Sequence, residues 1–136
     1  MRGAARGSHL SSHRPTGMGA HWTHAHGLDR LTGADPRGAP ACTILDTDIG
    51  TFADDTFALG FLLHLPAMAL KLVVTASHDT VGRARVAAKH LTLAGADHIP
   101  IGVGIKTSEE SGALFGWASD FDLRSYRGGV WDDGVA

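Results

Sequence analysis

Residues 42–65 read CTILDTDIGTFADDTFALGFLLHL, and this stretch decides the fold that the chain can adopt. The apolar run at residues 42–45 is long enough for a buried strand, which ends at Asp46. Residues 54–65 then predict a helix, with acids in the first turn, where the helix dipole favours negative charge, and with Pro66 as its stop. A buried strand, a glycine turn and a helix form the first unit of an α/β fold.

The same pattern is repeated downstream. Residues 70–75 predict a second strand, residues 82–94 an amphipathic helix capped by Gly95, and residues 99–103 a third strand. The apolar face of that helix is made of alanine and leucine, and three basic side chains fall mostly away from it: Arg83, Arg85 and Lys89. The order predicts an α/β class fold, the βαβαβ part of a Rossmann-like, open, mostly parallel sheet.

Three strands make a small sheet, and a parallel sheet needs cover on both faces. The last residues, DDGVA at 132–136, resemble a capped helix start. We therefore expect residues 41–136 to be the N-terminal portion of a larger, truncated domain.

Composition separates a leader from this domain. Residues 1–40 carry five arginines, two aspartates, seven glycines and three prolines without an apolar period, which predicts a disordered leader. An organellar transit peptide is the alternative for this arginine-bearing segment. The single cysteine, Cys42, fits a reducing compartment, and we expect a cytoplasmic protein.

Two classes of partner are not expected. Residues 41–136 carry seven basic and twelve acidic side chains, so they present no basic footprint for nucleic acid. The longest apolar-rich stretch, residues 57–65, is too short to cross a membrane.

The acids after the first strand are the candidate site. Asp46, Asp48, Asp54 and Asp55 lie within ten residues that contain no lysine or arginine. Like charges 4 Å apart repel by about 1 kcal/mol even in water, so either some of these acids bind protons or a cation lies among them. Calcium and magnesium prefer such oxygen ligands. The alternative is that each aspartate caps a turn or a helix.

Further polar residues follow the other strands, at the edge of the sheet where ligands bind in this architecture. These are the segments Ser77-His78-Asp79 and Lys106-Thr107-Ser108. Asp79 is equally compatible with a helix cap and with a substrate contact.

From about Ile44 to Ala136 the chain resembles the inosine-uridine preferring nucleoside hydrolase family. The resemblance is carried by three stretches: ILDTDIGTFADDTFAL, DTVGRARVAAKHLTLAG followed by IPIGVG, and GWASDFDL with the final DGVA. It implies a calcium-dependent glycosidase of nucleoside salvage that hydrolyses ribonucleosides to ribose and free base. It also implies a homo-oligomer for full-length members.

The resemblance implies a role for each acid. Asp48 would be a calcium ligand and the general base, and Asp55 a second metal ligand. Asp54 would hold a ribose hydroxyl, Asp79 would contact the substrate, and Asp46 would orient the cluster from behind the ligands. The chemistry is consistent with this division, since calcium lowers the pKa of a water and a carboxylate takes its proton.

Three departures from the family pattern accompany the resemblance. Phe52 stands where many members have a further aspartate, and Asp79 where the better-known members have asparagine. The family's remaining metal ligands and its leaving-group histidine come from a back half outside this chain. We therefore expect weak or no activity from the chain alone.

Three other functions are open. A haloacid-dehalogenase-like phosphatase would use Asp46 as a phosphorylated nucleophile, although Ile49 separates its Asp-x-Asp from Gly-Thr. A calcium-binding module has Asp-x-Asp-x-Gly spacing but should follow a helix. An inactive, truncated interaction fragment is the third.

Overall fold

The computed structural model describes residues 38–132 of the chain. Most of the predicted leader and all but one residue of the predicted final helix start lie outside these residues. The elements are strands β1 (Ala41–Thr47), β2 (Met68–Thr75), β3 (Ile101–Val103) and β4 (Val130–Trp131), helices α1 (Asp54–His64), α2 (Thr80–Leu93) and α3 (Phe115–Ala118), and a 3-10 turn (Leu123–Ser125).

The four strands form one open sheet in the order β1-β2-β3-β4, and every pair is parallel. The predicted α/β class and Rossmann-like parallel sheet are confirmed at this level. Strand β4 was not predicted, because two apolar residues are too short a run to indicate a strand. Both β1 and β2 begin earlier than predicted, and their pairing shifts register between Thr43 and Ile44.

Helices α1 and α2 lie on one face of the sheet, because each right-handed crossover moves one strand further in the same direction. Two paired threonines confirm this arrangement: Thr47 contacts α1 through Asp55, and Thr75 contacts the start of α2 through the carbonyl of Thr80. The core lies between this face and the helices, and its fully enclosed side chains include Leu59, Val73, Val86, Leu91 and Ile101.

The opposite face of the sheet is open among the described residues. Ile44 on β1 is 63% exposed and Trp131 on β4 is 65% exposed. Asp46 lies on this same face, because side chains alternate along a strand and Thr47 points to the helices.

Helix α2 begins two residues before its predicted start. Asp79 is its N-cap and accepts a 3.2 Å hydrogen bond from the amide of Gly82, so the cap role predicted for Asp79 is confirmed. The predicted placement of Arg83 away from the apolar face was wrong, since Arg83 is 1% exposed. Arg85 is exposed as expected. At the other end Gly95 has a φ of +70°, as its predicted cap role requires.

Within residues 38–132, no helix combines the length and apolar character needed to cross a membrane.

Candidate functional site

The loops that follow β1, β2 and β3 meet at the carboxyl edge of the sheet. The amide of Leu114 donates to the carbonyl of Gly50 at 2.9 Å, which joins the first and third loops. The amide of Thr107 donates to the carbonyl of His78 at 3.0 Å, which joins the second and third. The polar segments predicted to lie at one edge of the sheet are therefore brought together there.

Asp48 lines a pocket of about 260 Å³ at this edge. The wall is built from all three loops and from the start of α2, and the lining residues are Asp48, Thr51, Phe52, His78, Arg83, Glu110 and Ser111. Carboxylate, guanidinium, imidazole and hydroxyl groups thus share one small space beside an aromatic ring.

Asp55 is tied to the end of β1. The hydroxyl of Thr47 donates to Oδ1 of Asp55 at 2.5 Å, and the same hydroxyl accepts from the amide of Ile49 at 3.1 Å. Thr47 is 3% exposed, so its hydroxyl is buried, whereas Asp55 is half-buried. Sequence reasoning missed Thr47. Side chains alternate along a strand, so a residue between two aspartates at the end of β1 points to the face opposite theirs, which here is the helix side.

Asp48 lines this pocket, whereas the other three acids of the motif, Asp46, Asp54 and Asp55, do not. Asp46 is exposed on the open face of the sheet, and Asp54 is exposed at the first position of α1. The predicted roles of Asp46 in orienting the cluster and of Asp54 in holding a ribose hydroxyl stay predictions.

Asp79 combines its cap role with proximity to a basic side chain. Its Oδ1 lies 3.8 Å from Nζ of Lys106 in the third loop. The hydrogen bond from Lys106 to Glu109 raises the pKa of this lysine, with a smaller contribution from the charge of Asp79. The predicted substrate contact of Asp79 stays a prediction.

The second loop has an uncommon backbone. Ser77 and His78 are consecutive non-glycine residues with positive φ, +68° and +51°. Such residues are costly and cluster at functional sites. The third loop holds them: the amide of His78 donates to the Thr107 hydroxyl at 2.8 Å, and Nδ1 of its ring lies 2.9 Å from the hydroxyl of Ser108.

Two glycines allow the first and third loops to approach. Gly50 has a φ of +112°, and a Cβ on Gly112 would lie 2.3 Å from the carbonyl oxygen of Gly50. A side chain larger than hydrogen therefore fits neither position without moving the loops.

A second, apolar pocket of about 460 Å³ shares Thr51 and Phe52 with the first. Its wall includes Trp117 and His90, whose rings are in contact at a tilt of 41° with their centroids 4.7 Å apart. Among the described residues Nε2 of His90 is buried without a hydrogen-bond partner, and burial lowers the pKa of this histidine.

The residues around Asp48 suit a hard divalent ion in kind but not in number. Asp48 and Glu110 bring carboxylates to the pocket wall, and calcium prefers such oxygens, but Asp55 is not a lining residue. However, residues 38–132 contain no group of three or more His, Cys, Asp and Glu side chains arranged to hold a metal. An ion there would need further oxygens, from carbonyls, water or a ligand's hydroxyls.

Comparisons of the chain with protein-family models, curated proteins and solved structures find no match.

Proposed function

We propose that the chain carries part of a calcium-dependent nucleoside hydrolase site, which cleaves the N-glycosidic bond of ribonucleosides to ribose and free base. The observation that carries the proposal is the placement of Asp48 in the pocket at the carboxyl edge of the parallel sheet, where three loops converge. The resemblance of residues 44–136 to that family supplies the reaction.

Asp48 is the proposed general base. Asp48 is one of the residues that line the pocket, and an ionised carboxylate can only accept hydrogen bonds, so it is suited to take a proton from an attacking water. Oxygen then adds to the anomeric carbon, the carbon–nitrogen bond breaks, and the base departs with the bonding electrons and takes up a proton. A bound calcium ion would supply a water of lowered pKa.

Asp55 is the proposed second metal ligand. With Oδ1 held by the Thr47 hydroxyl, Oδ2 is left for an ion, and the short bond fixes the orientation of the carboxylate. Asp79, anchored as the cap of α2, and Asp54 are the proposed contacts for ribose hydroxyls.

The phosphatase alternative is less well supported. Its nucleophile would be Asp46, which lies on the open face of the sheet and does not line the pocket.

The test is an assay of the full chain with inosine, uridine and phosphate monoesters, which measures released reducing sugar and released phosphate. Terbium luminescence measures ion binding in parallel, since Tb³⁺ occupies calcium sites. We expect slow, calcium-dependent sugar release that chelation and Asp48→Asn abolish. Asp48→Asn and Asp55→Asn should also weaken Tb³⁺ binding.

Asp122→Asn is the matched control. It removes the same charge from an exposed acid, and asparagine can still accept the 3.0 Å bond from the amide of Arg124. Phosphate release without sugar release would overturn the proposal, as would Tb³⁺ binding that the control weakens equally.

A further inference from the structure

Helix α1 is apolar on the side that points away from the sheet as well as on the side that packs against it. Leu59 is buried, and Leu62 and Leu63 pack against the core. Phe57 and Phe61, one turn apart, are nevertheless 74% and 62% exposed. A helix that is apolar all round is normally buried on every side, so the described part of the chain leaves one side of this helix without its expected cover.

The exposed apolar surface continues into the loop before the helix. Phe52 is 75% exposed, and it lines the apolar pocket together with Phe57 and Trp117. The rings of Phe52, Phe57 and Phe61 present on the order of 400 Å² of aromatic surface. This area is comparable with the largest apolar patch of a typical monomer, and such patches mark interaction sites.

The exposed residues of α1 form what we call its outer face: Asp54, Phe57, Ala58, Phe61 and His64. This face has nearly the same pattern when the helix is read in reverse. Phe57 and Phe61 lie at equal distances on either side of Leu59, and so do Asp54 and His64. Such a surface can meet a copy of itself across a two-fold axis, because residue i then contacts residue j while j contacts i.

An antiparallel pair of α1 helices, centred on Leu59 of each copy, would bring the rings together. Phe57 of each copy would lie beside Phe61 of the other, at two equivalent positions. Between these contacts the helices can approach closely, since Ala58 is small and a Cβ on Gly60 would meet no atom within 4 Å. The outer face therefore has the shape of an interface with a second copy.

The charges of the helix favour the same occupant. α1 contains no lysine or arginine, and its acids Asp54 and Asp55 are both in the first turn. An anionic membrane would be repelled, because helices that bind such membranes carry basic side chains. In the antiparallel pair, the acids of one copy lie near the last turn of the other, where His64 is the basic residue, so like charges do not meet.

We propose that the outer face of α1 is a self-association surface, on which a second copy of the chain packs its own α1 antiparallel about a two-fold axis. The rings of two copies would bury on the order of 800 Å² in total, which is less than the roughly 1,200 Å² of a stable complex. The dimer is therefore weak and reversible. This inference does not depend on the proposed reaction, and no bound ion enters it.

Sedimentation velocity of the full chain, from micromolar to millimolar concentration, measures the association. We expect the wild type to be a reversible mixture of monomer and dimer. Phe57→Lys and Phe61→Glu should each weaken association about 30-fold or more, since buried aromatic anchors dominate interface energies. The matched control is Leu93→Glu, which replaces an apolar side chain that is 72% exposed on α2 and should associate like the wild type.

Mixing the variants tests the antiparallel register. An equimolar mixture of Phe57→Lys and Phe61→Glu should dimerise again, because the new ammonium of one copy then lies beside the new carboxylate of the other. The second contact of that dimer keeps both phenylalanines. A mixture of Phe57→Lys and Phe57→Glu should stay monomeric, because in this register the two new charges do not meet.

Several outcomes would overturn the inference. A wild type that is monomeric at every concentration would do so, as would a dimer that Phe61→Glu leaves intact. Dimerisation of the Phe57→Lys and Phe57→Glu mixture alone would show parallel helices. If a phenylalanine variant does not fold, Ala58→Glu decides, and wild-type association of that variant would contradict a close approach of the helices. A monomeric wild type that binds phosphatidylcholine vesicles through Phe57 and Phe61 would assign the face to a lipid surface.

Discussion

The hydroxyl of Thr47 donates a 2.5 Å hydrogen bond to Oδ1 of Asp55, and so connects the end of β1 to the first turn of α1. The same oxygen accepts from the amide of Ile49, at the start of the loop that contains Gly50. One buried threonine therefore fixes both the carboxylate and the turn that leads to it.

Thr47→Val should test this connection. Valine has the same shape but leaves Oδ1 of Asp55 and the amide of Ile49 without their partner, so we expect a loss of about 1 to 3 kcal/mol in the free energy of unfolding. Urea denaturation measures it. Thr47→Ser keeps the hydroxyl and is the control, and equal stability of the two variants would contradict the role given to the hydrogen bonds.

Gly112→Ala should separate the first and third loops. The new Cβ would meet the carbonyl of Gly50 at 2.3 Å, and backbone cannot move aside as a flexible side chain can. We expect a destabilisation of about 1 to 3 kcal/mol, measured by thermal unfolding. The control is Gly116→Ala in α3, where a Cβ meets no atom within 4 Å, and which should be neutral or stabilising. A Gly112→Ala melting temperature equal to that of the control would show that the loops do not approach this closely.

Tyr126 should ionise unusually late. Burial raises its pKa to about 12, and its hydroxyl donates to the carbonyl of Ile99 at 2.7 Å. It is the single tyrosine of the chain, so phenolate absorbance reports on it alone. The pKa of Tyr126 in the folded chain lies above its unfolded value of 10.0. The contribution of the protonated phenol to the free energy of unfolding is therefore complete below pH 10.0 and is lost as pH rises towards 12. A titration midpoint near 10.0 in the folded chain would contradict its burial.

His90 should make the fold sensitive to mild acid. Burial lowers its pKa below 6.5, so the folded state favours the neutral ring. As pH falls below 6.5 the unfolded chain binds a proton first, and stability decreases until the folded pKa is passed.

The measurement is the melting temperature on both sides of pH 6.5 for wild type, His90→Phe and the exposed control His98→Gln. Phenylalanine keeps the packing against Trp117 and removes the titrating group. We expect a smaller acid-induced decrease in His90→Phe alone. If all three proteins lose stability equally, His90 does not cause the effect.

Much of the fold could be predicted from local patterns. The strands and helices between residues 41 and 103 have apolar periods, a proline stop and a glycine cap, all of which are local signals. β4 has no such signal. Its two residues pair with β3 only because the chain between β3 and β4 folds back.

The site was predictable only in part. Asp48 and Asp79 follow strand ends, and parallel strands bring their ends to one edge. The burial of Arg83 could not be predicted, because a charged residue in an alanine-rich helix is usually solvated. Its burial depends on carbonyls of two loops that are distant in sequence, and no spacing rule encodes them.

The register shift between Thr43 and Ile44 changes which side chains of β2 face the helices. Lys71 is the extra residue of β2 at this irregularity, since Thr43 pairs with Leu70 and Ile44 with Leu72. The extra residue resets the alternation of side chains, so Leu70 and Val73 are both buried although they are three residues apart, and Thr75 still turns its hydroxyl towards α2.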